Sequence, residues 1–137
     1  MKKYSLIFMI VLLLFLVACG DEGKSKESAE TSGDKETIAL FMADLGNPYF
    51  HVLRDAVENR GEELGYEVLV YDGQNDPSNQ PSQIEDAIQK GVSAIIINPA
   101  DESSTSNALT EAIDQGIPVV TVDRAVDVDG ILSYIVT

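Results

Sequence analysis

Thr37–Phe50 reads TIALFMADLGNPYF. Ile38 to Met42 is an unbroken apolar run bounded by polar residues. Its length suits a strand covered on both faces better than a helix. Asp44 to Asn47, with Gly46 among them, read as a loop. Pro48 is suited to open a helix, because the first turn has no use for its missing N–H. Leu53, Ala56, Val57, Arg60 and Leu64 then recur at helical spacing, so they predict the inward face of that helix. Gly65 is the expected stop.

The same plan recurs along the chain. Tyr66 to Tyr71 predicts a second strand, ending at Asp72-Gly73. Ile84, Ala87 and Ile88 mark a second helix that stops at Gly91, with Pro81 confined to its first turn or before it. Ala94 to Ile97 predicts a third strand, ending at Asn98-Pro99. The Ser103–Ser106 run supplies cap candidates. A third helix follows, with Ala108, Leu109, Ala112 and Ile113 inward and Gly116 as its stop. Ile117 to Val122 predicts a fourth strand, ending at Asp123-Arg124, and Ile131 to Val136 a fifth. The stops Gly65, Gly91 and Gly116 are spaced by 26 and 25 residues. Strand and helix alternating at that rhythm define an α/β fold, a doubly wound parallel sheet with helices on both faces.

The residues before Thr37 are of another kind. Lys2 and Lys3 precede an uncharged apolar block, Leu6 to Ala18. The block is shorter than the ~20 residues of a spanning helix, and it has the form of a secretory signal. Leu16-Val17-Ala18-Cys19 resembles the lipobox of bacterial lipoproteins, in which the cysteine is lipidated. Residues 1–18 are thus expected to be a lipoprotein signal peptide. Residues 19–36 hold no aliphatic side chain larger than alanine and are expected to be a polar tether. Residues 37–137 are expected to be the folded part. Cys19 is the only cysteine, which excludes an intramolecular disulfide. The formal charge is −14. Without Lys2 and Lys3, seven basic residues face 23 acidic ones. That balance argues against nucleic acid and anionic membrane surfaces as partners.

In an open parallel sheet, ligands bind beyond the carboxyl ends of the strands. Polar residues stand there after each of the first four strands: Asp44 and Asn47, Asp72, Asn98, and Asp123 with Arg124. Carboxylates, amides and a guanidinium pair well with vicinal hydroxyls. Tyr49 and Phe50 could lay a ring against the apolar face of a sugar, or act as a staple at the helix start. Asp72-Gly73 reads as a structural turn. The one histidine, His51, reads as a surface or capping residue. No dinucleotide or phosphate loop is present, and no His/Cys/Asp group has metal-ligand spacing. The Asp123, Asp127, Asp129 series lacks the glycine and glutamate of a calcium loop. The expectation is therefore no enzyme, no cofactor and no metal.

TIALFMADLGNPYF, YDGQNDPSNQ, AIIINPADE and GIPVVTVDRAV, in this order, resemble the ribose/galactose-type periplasmic sugar-binding proteins. These are the substrate-binding components of ABC sugar importers. The resemblance implies a two-lobed protein that closes on one monosaccharide. It implies that Asn47, Asn98, Asp123 and Arg124 hydrogen-bond the sugar while Tyr49 and Phe50 stack on it. Tyr49 stands where phenylalanine is common in ribose-binding members. The implied partners are the sugar, the permease subunits of the importer, and the membrane through a lipid on Cys19. The expected state is a monomer anchored on the extracytoplasmic face of the cell membrane. Relative to that family, the chain reads as truncated after the first lobe, with impaired binding and an exposed apolar edge at Ile131–Val136. Two alternatives share the fold: a receiver-type signalling domain with Asp72 or Asp123 as phospho-acceptor, and a chemoreceptor-docking or quorum-signal binding protein.

Overall fold

The computed structural model describes residues 35–136. The chain divides into Met1–Ser32 and Gly33–Thr137, and the described residues belong to the second unit. The apolar block, Cys19 and nearly all of the tether lie outside them.

Among the described residues, five strands and three helices follow in the order the sequence predicts. They are β1 (Thr37–Met42), α1 (Pro48–Leu64), β2 (Glu67–Asp72), α2 (Asn79–Gln89), β3 (Ala94–Ile97), α3 (Ser106–Asp114), β4 (Val119–Val122) and β5 (Ser133–Ile135). All pairings are parallel, in the order β2-β1-β3-β4-β5. The fourth strand starts two residues later than expected. Pro118 has no N–H for the ladder, although its carbonyl accepts from Ile95 N at 2.9 Å. The fifth strand is shorter than the apolar run that predicts it.

The run Ala39–Met42 is wholly buried. Its side chains alternate between faces, as strand geometry requires. Ala39 and Phe41 join Ile84, Ala87, Ile95, Ile97, Leu109, Ala112 and Val119 in the core beneath α2 and α3. Leu40 and Met42 point the other way and pack with Phe50 beneath α1. Each fully buried aliphatic or aromatic side chain contributes about 2 kcal/mol.

The two faces are closed unequally. α1 lies over β2 and β1. Gly61 permits the close approach: a Cβ there would come within 2.5 Å of Val68 Cγ2. The expected inward face of α1 is only partly inward. Phe50 and Gly61 are buried and Leu53 and Val57 half-buried, whereas Ala56, Arg60 and Leu64 are exposed. The reason is that, among the described residues, no helix covers β3 on this face. Ala56, Arg60 and Leu64 instead line an open groove with Ile38, Tyr66 and Ile96, of about 350 Å³. β5 is the outer strand beside β4, and Leu132, Tyr134, Ile135 and Val136 around it are exposed. No helix among the described residues is long and apolar enough to cross a membrane.

Candidate functional site

The strand order fixes where a ligand can sit. From β1 the chain steps outward to β2, then crosses back to β3 on the other side of β1. Right-handed crossovers place α1 on one face and α2 and α3 on the opposite one. The loops after β1 and β3 therefore diverge and leave a crevice at the carboxyl edge. The apolar groove under α1 lies toward the amino ends of the strands, where Ile38 and Tyr66 stand. It gathers no convergent polar groups apart from Arg60, so the polar edge is the better candidate site.

The loop after β1 is organised by its own neighbours. Asp44 Oδ1 accepts from Gly46 N at 2.7 Å. Asn47 is the N-cap of α1, and its Oδ1 accepts from Tyr49 N at 3.0 Å. His51 Nε2 contacts Leu45 O, so the histidine holds the loop as a capping residue would. The aromatic pair is divided. Phe50 is 6% exposed and belongs to the core beneath α1, whereas Tyr49 is 45% exposed. Their rings meet edge to face at 5.2 Å. In this arrangement Phe50 backs Tyr49, and Tyr49 alone of the pair presents its ring at the surface.

Asp72 has the structural role expected of it. Its Oδ1 accepts from Leu45 N at 3.0 Å and Gln74 N at 2.9 Å, which ties the β2 end to the first loop. Gly73 is required beside it. Its N–H donates to Met42 O at 2.8 Å, and a Cβ there would stand 2.9 Å from Ala43 O. Gln74 and Asn75 turn the chain away with positive φ of 54° and 55°.

The ends of β3 and β4 form one interlocked corner. Asn98 is fully buried. Its Nδ2 donates to Val122 O at 3.1 Å and to Asp123 Oδ2 at 3.2 Å, and its Oδ1 has no hydrogen-bond partner among the described residues. The expected direct contact by Asn98 is thus not at the surface here; the side chain lies beneath Asp123 and holds it. Asp123 has φ of 64°, a left-handed conformation that aspartate tolerates better than most residues. β5 holds its backbone: Asp123 N donates to Ile135 O at 2.8 Å, and Tyr134 Oη donates to Asp123 O at 3.1 Å. Arg124 Nη1 donates to Pro99 O at 3.1 Å and Ala100 O at 3.2 Å. The guanidinium therefore lies along the β3–α3 loop and is not simply a solvated charge.

Two further residues of this corner are not legible as site residues in the sequence. Gln80, on α2, is fully buried. Its Nε2 donates to Asn98 O at 3.0 Å and its Oε1 accepts from Ala100 N at 2.8 Å. The only sequence signal is a glutamine next to Pro81 in a first turn. Asp101 closes the loop ahead of α3. Its Oδ1 accepts from Ser103 Oγ, Ser103 N and Ser104 N at 2.8 to 3.0 Å. Chiefly through the Ser103 hydroxyl, these bonds hold its carboxyl below the usual aspartate range. The N-cap of α3 is Thr105, within the Ser103–Ser106 run of cap candidates, but it makes no side-chain cap bond.

Outside the edge, Tyr71 stacks on Phe41 with centroids 4.7 Å apart. Its hydroxyl donates to Asp86 Oδ2 at 3.0 Å, and Lys90 Nζ donates to the same oxygen at 2.7 Å. Burial pushes the Tyr71 hydroxyl up, opposed by the bond from Lys90. The Lys90 and Tyr71 bonds hold Asp86 below the usual carboxylate range.

A parallel sheet wound both ways about β1, with polar side chains gathered at its carboxyl edge, is an open α/β lobe of the kind that takes a ligand at that edge. The chain belongs to the periplasmic binding protein family, whose domain matches residues 38–137. It is 40% identical over 129 residues to the ribose import binding protein of Bacillus subtilis, across 93% of this chain and 42% of that relative. The fold superposes on the Caulobacter myo-inositol binding protein bound to myo-inositol. The TM-score is 0.67 at 28% identity, over 72% of this chain and 33% of that one. It also superposes on an ABC transporter solute-binding protein from Agrobacterium vitis bound with α-D-tagatopyranose. There the TM-score is 0.70 at 26% identity, over 75% of this chain and 38% of that one. The chain therefore spans less than half the length of these relatives. The receiver alternative gains nothing: among the described residues no three His, Cys, Asp or Glu side chains come together as a metal site, and Asp72 is engaged by backbone N–H groups.

Proposed function

We propose that this chain supplies one wall of a monosaccharide cleft in the extracytoplasmic substrate-binding component of an ABC-type sugar importer. The observation that carries the reading is the β3–β4 corner. A buried amide holds the Asp123 carboxylate and two loop carbonyls hold the Arg124 guanidinium, both at the carboxyl edge of the sheet. Such a pair accepts from and donates to neighbouring hydroxyls of one sugar. Asn47 adds an amide across the crevice, and Tyr49 a ring face. In this reading Phe50 supports Tyr49 from the core, and Asn98 serves the sugar through Asp123. The relatives named for ribose, myo-inositol and tagatopyranose support a polyhydroxylated ligand. The protein is then a binder and not an enzyme, and the importer's membrane subunits are its partners. A lipid on Cys19 and the tether 19–36 would keep the lobe at the outer face of the membrane, as a monomer; the two acyl chains of a diacylglyceryl group suffice for stable anchoring.

Among the described residues one lobe is present, so a sugar is held from one side and affinity in the millimolar range is expected. The test is an NMR titration of the isotopically labelled chain with D-ribose, myo-inositol and D-glucose. Expected are saturable shifts at Asn47, Tyr49, Asp123 and Arg124 for at least one sugar. Shifts confined to the groove under α1, or none at these four residues, would overturn the reading. Mass spectrometry of the membrane fraction for a diacylglyceryl group on Cys19 tests the anchor separately.

A further inference from the structure

We propose that Gln80 is a positioning residue for this edge: from α2 it sets the loop that fixes both Arg124 and Asp123. The inference rests on the sugar-binding reading of that pair and deepens it. Gln80 lies in the first turn of α2, directly under Gly73, whose missing Cβ leaves room for the Gln80 Cγ; a Cβ there would stand 3.2 Å from it. The side chain is fully buried, so water does not compete for its amide. Its two hydrogen bonds are of opposite sense. Nε2 donates to Asn98 O and Oε1 accepts from Ala100 N, so one planar group clamps both ends of the Asn98-Pro99-Ala100 turn. A primary amide does both at neutral pH, donating from its nitrogen and accepting at its oxygen. A carboxylate cannot donate, and a thioether does neither with strength.

Each thing the turn then does concerns the site. Its Pro99 and Ala100 carbonyls accept from Arg124 Nη1. Its Asn98 side chain donates to Val122 O and Asp123 Oδ2. If the clamp is released, a buried carbonyl at Asn98 and a half-buried N–H at Ala100 lose their partner, and the turn must shift to satisfy them. Arg124 and Asp123 move with it. Gln80 touches neither of them and acts only through the turn.

The test compares wild type, Gln80→Met and Gln80→Glu in the full chain, by amide exchange at Ala100, by the Arg124 guanidinium NMR signals, and by D-ribose titration. In the wild type the Ala100 amide is expected to be protected and the Arg124 signals dispersed. Gln80→Met is expected to keep its circular dichroism and its α3 amide shifts. It should lose Ala100 protection by about tenfold or more, average the Arg124 signals toward solvent values, and weaken D-ribose by about tenfold. Gln80→Glu retains the acceptor for Ala100 and loses the donor to Asn98, so it should fall between the two. A folded Gln80→Met with unchanged Arg124 signals overturns the proposal. Should that variant not fold, an unprotected Ala100 in the wild type, or a Gln80→Glu variant indistinguishable from it, overturns it equally. A wild type that binds no sugar while Arg124 responds to Gln80 overturns the sugar reading and upholds the positioning role.

Discussion

The loop after β1 and the corner between β3 and β4 sit on the same edge, but they are built by different means. In the first, Asn47 bonds Tyr49 N two residues on, and Asp44 bonds Gly46 N. Two long-range bonds, Leu45 N to Asp72 Oδ1 and Asn75 N to Ala43 O, anchor it to the end of β2 and the loop after it. In the second, bonds join residues 18 to 25 positions apart, through side chains that are buried (Gln80, Asn98) or half-buried (Asp123, Arg124). A local cap tolerates damage because water can replace it. A buried network does not, since each lost partner leaves a polar group unsatisfied in a low-dielectric interior. The corner should therefore be the rigid reference of the site and the first loop its adaptable part.

Four substitutions can break or sharpen that contrast. Asn98→Leu removes the amide that holds Val122 O and Asp123, and is expected to destabilise the chain by about 3 kcal/mol in urea denaturation. A cost equal to that of a surface cap would refute the contrast. Gly73→Ala forces a Cβ against Ala43 O and Met42 O. Because backbone must give way, it should cost about 2 kcal/mol in the same assay. Asn47→Ala loses one exposed cap bond and should cost about 1 kcal/mol, read as a small fall in melting temperature with the corner's amide shifts unmoved.

The smallest effect is one of pH. The folded state holds the Asp101 carboxyl below its usual value, through Ser103 and Ser104. Its contribution to stability is therefore full above the ordinary carboxylate range. It fades as pH falls through the depressed folded value. Asp101→Asn should flatten that acid limb slightly and leave neutral stability nearly unchanged. A steeper acid limb in the variant, followed by circular dichroism, would contradict this assignment.

Much of the molecule is legible from local pattern. The apolar run Ala39–Met42, the glycine stops and Pro48 specify the elements, because strand and helix periodicities are properties of neighbouring residues. The structural roles of Asp72 and His51 are legible for the same reason: turn and cap partners lie close in sequence or at a strand end. The inward face of α1 is misjudged at Ala56, Arg60 and Leu64. Helical spacing names a face but not how much of it a sheet covers. Phe50 and Asn98 look like equals of Tyr49 and Asp123 in the sequence, since exposure at a strand end depends on what packs over it. Gln80 carries no pattern at all.

By itself, then, the sequence determined the alternation of elements, the parallel sheet and the edge at which polar residues collect. It did so because hydrophobic period, glycine and proline act through the backbone at short range. The tertiary structure alone decided which of those residues are exposed at that edge and which are buried beneath it. It divided Tyr49 from Phe50 by packing one ring on Leu40 and Met42. It placed Asn98 under Asp123 and brought Gln80 from another helix to both ends of one turn. Those roles rest on hydrogen bonds across about twenty residues of chain, which form only once the sheet has closed.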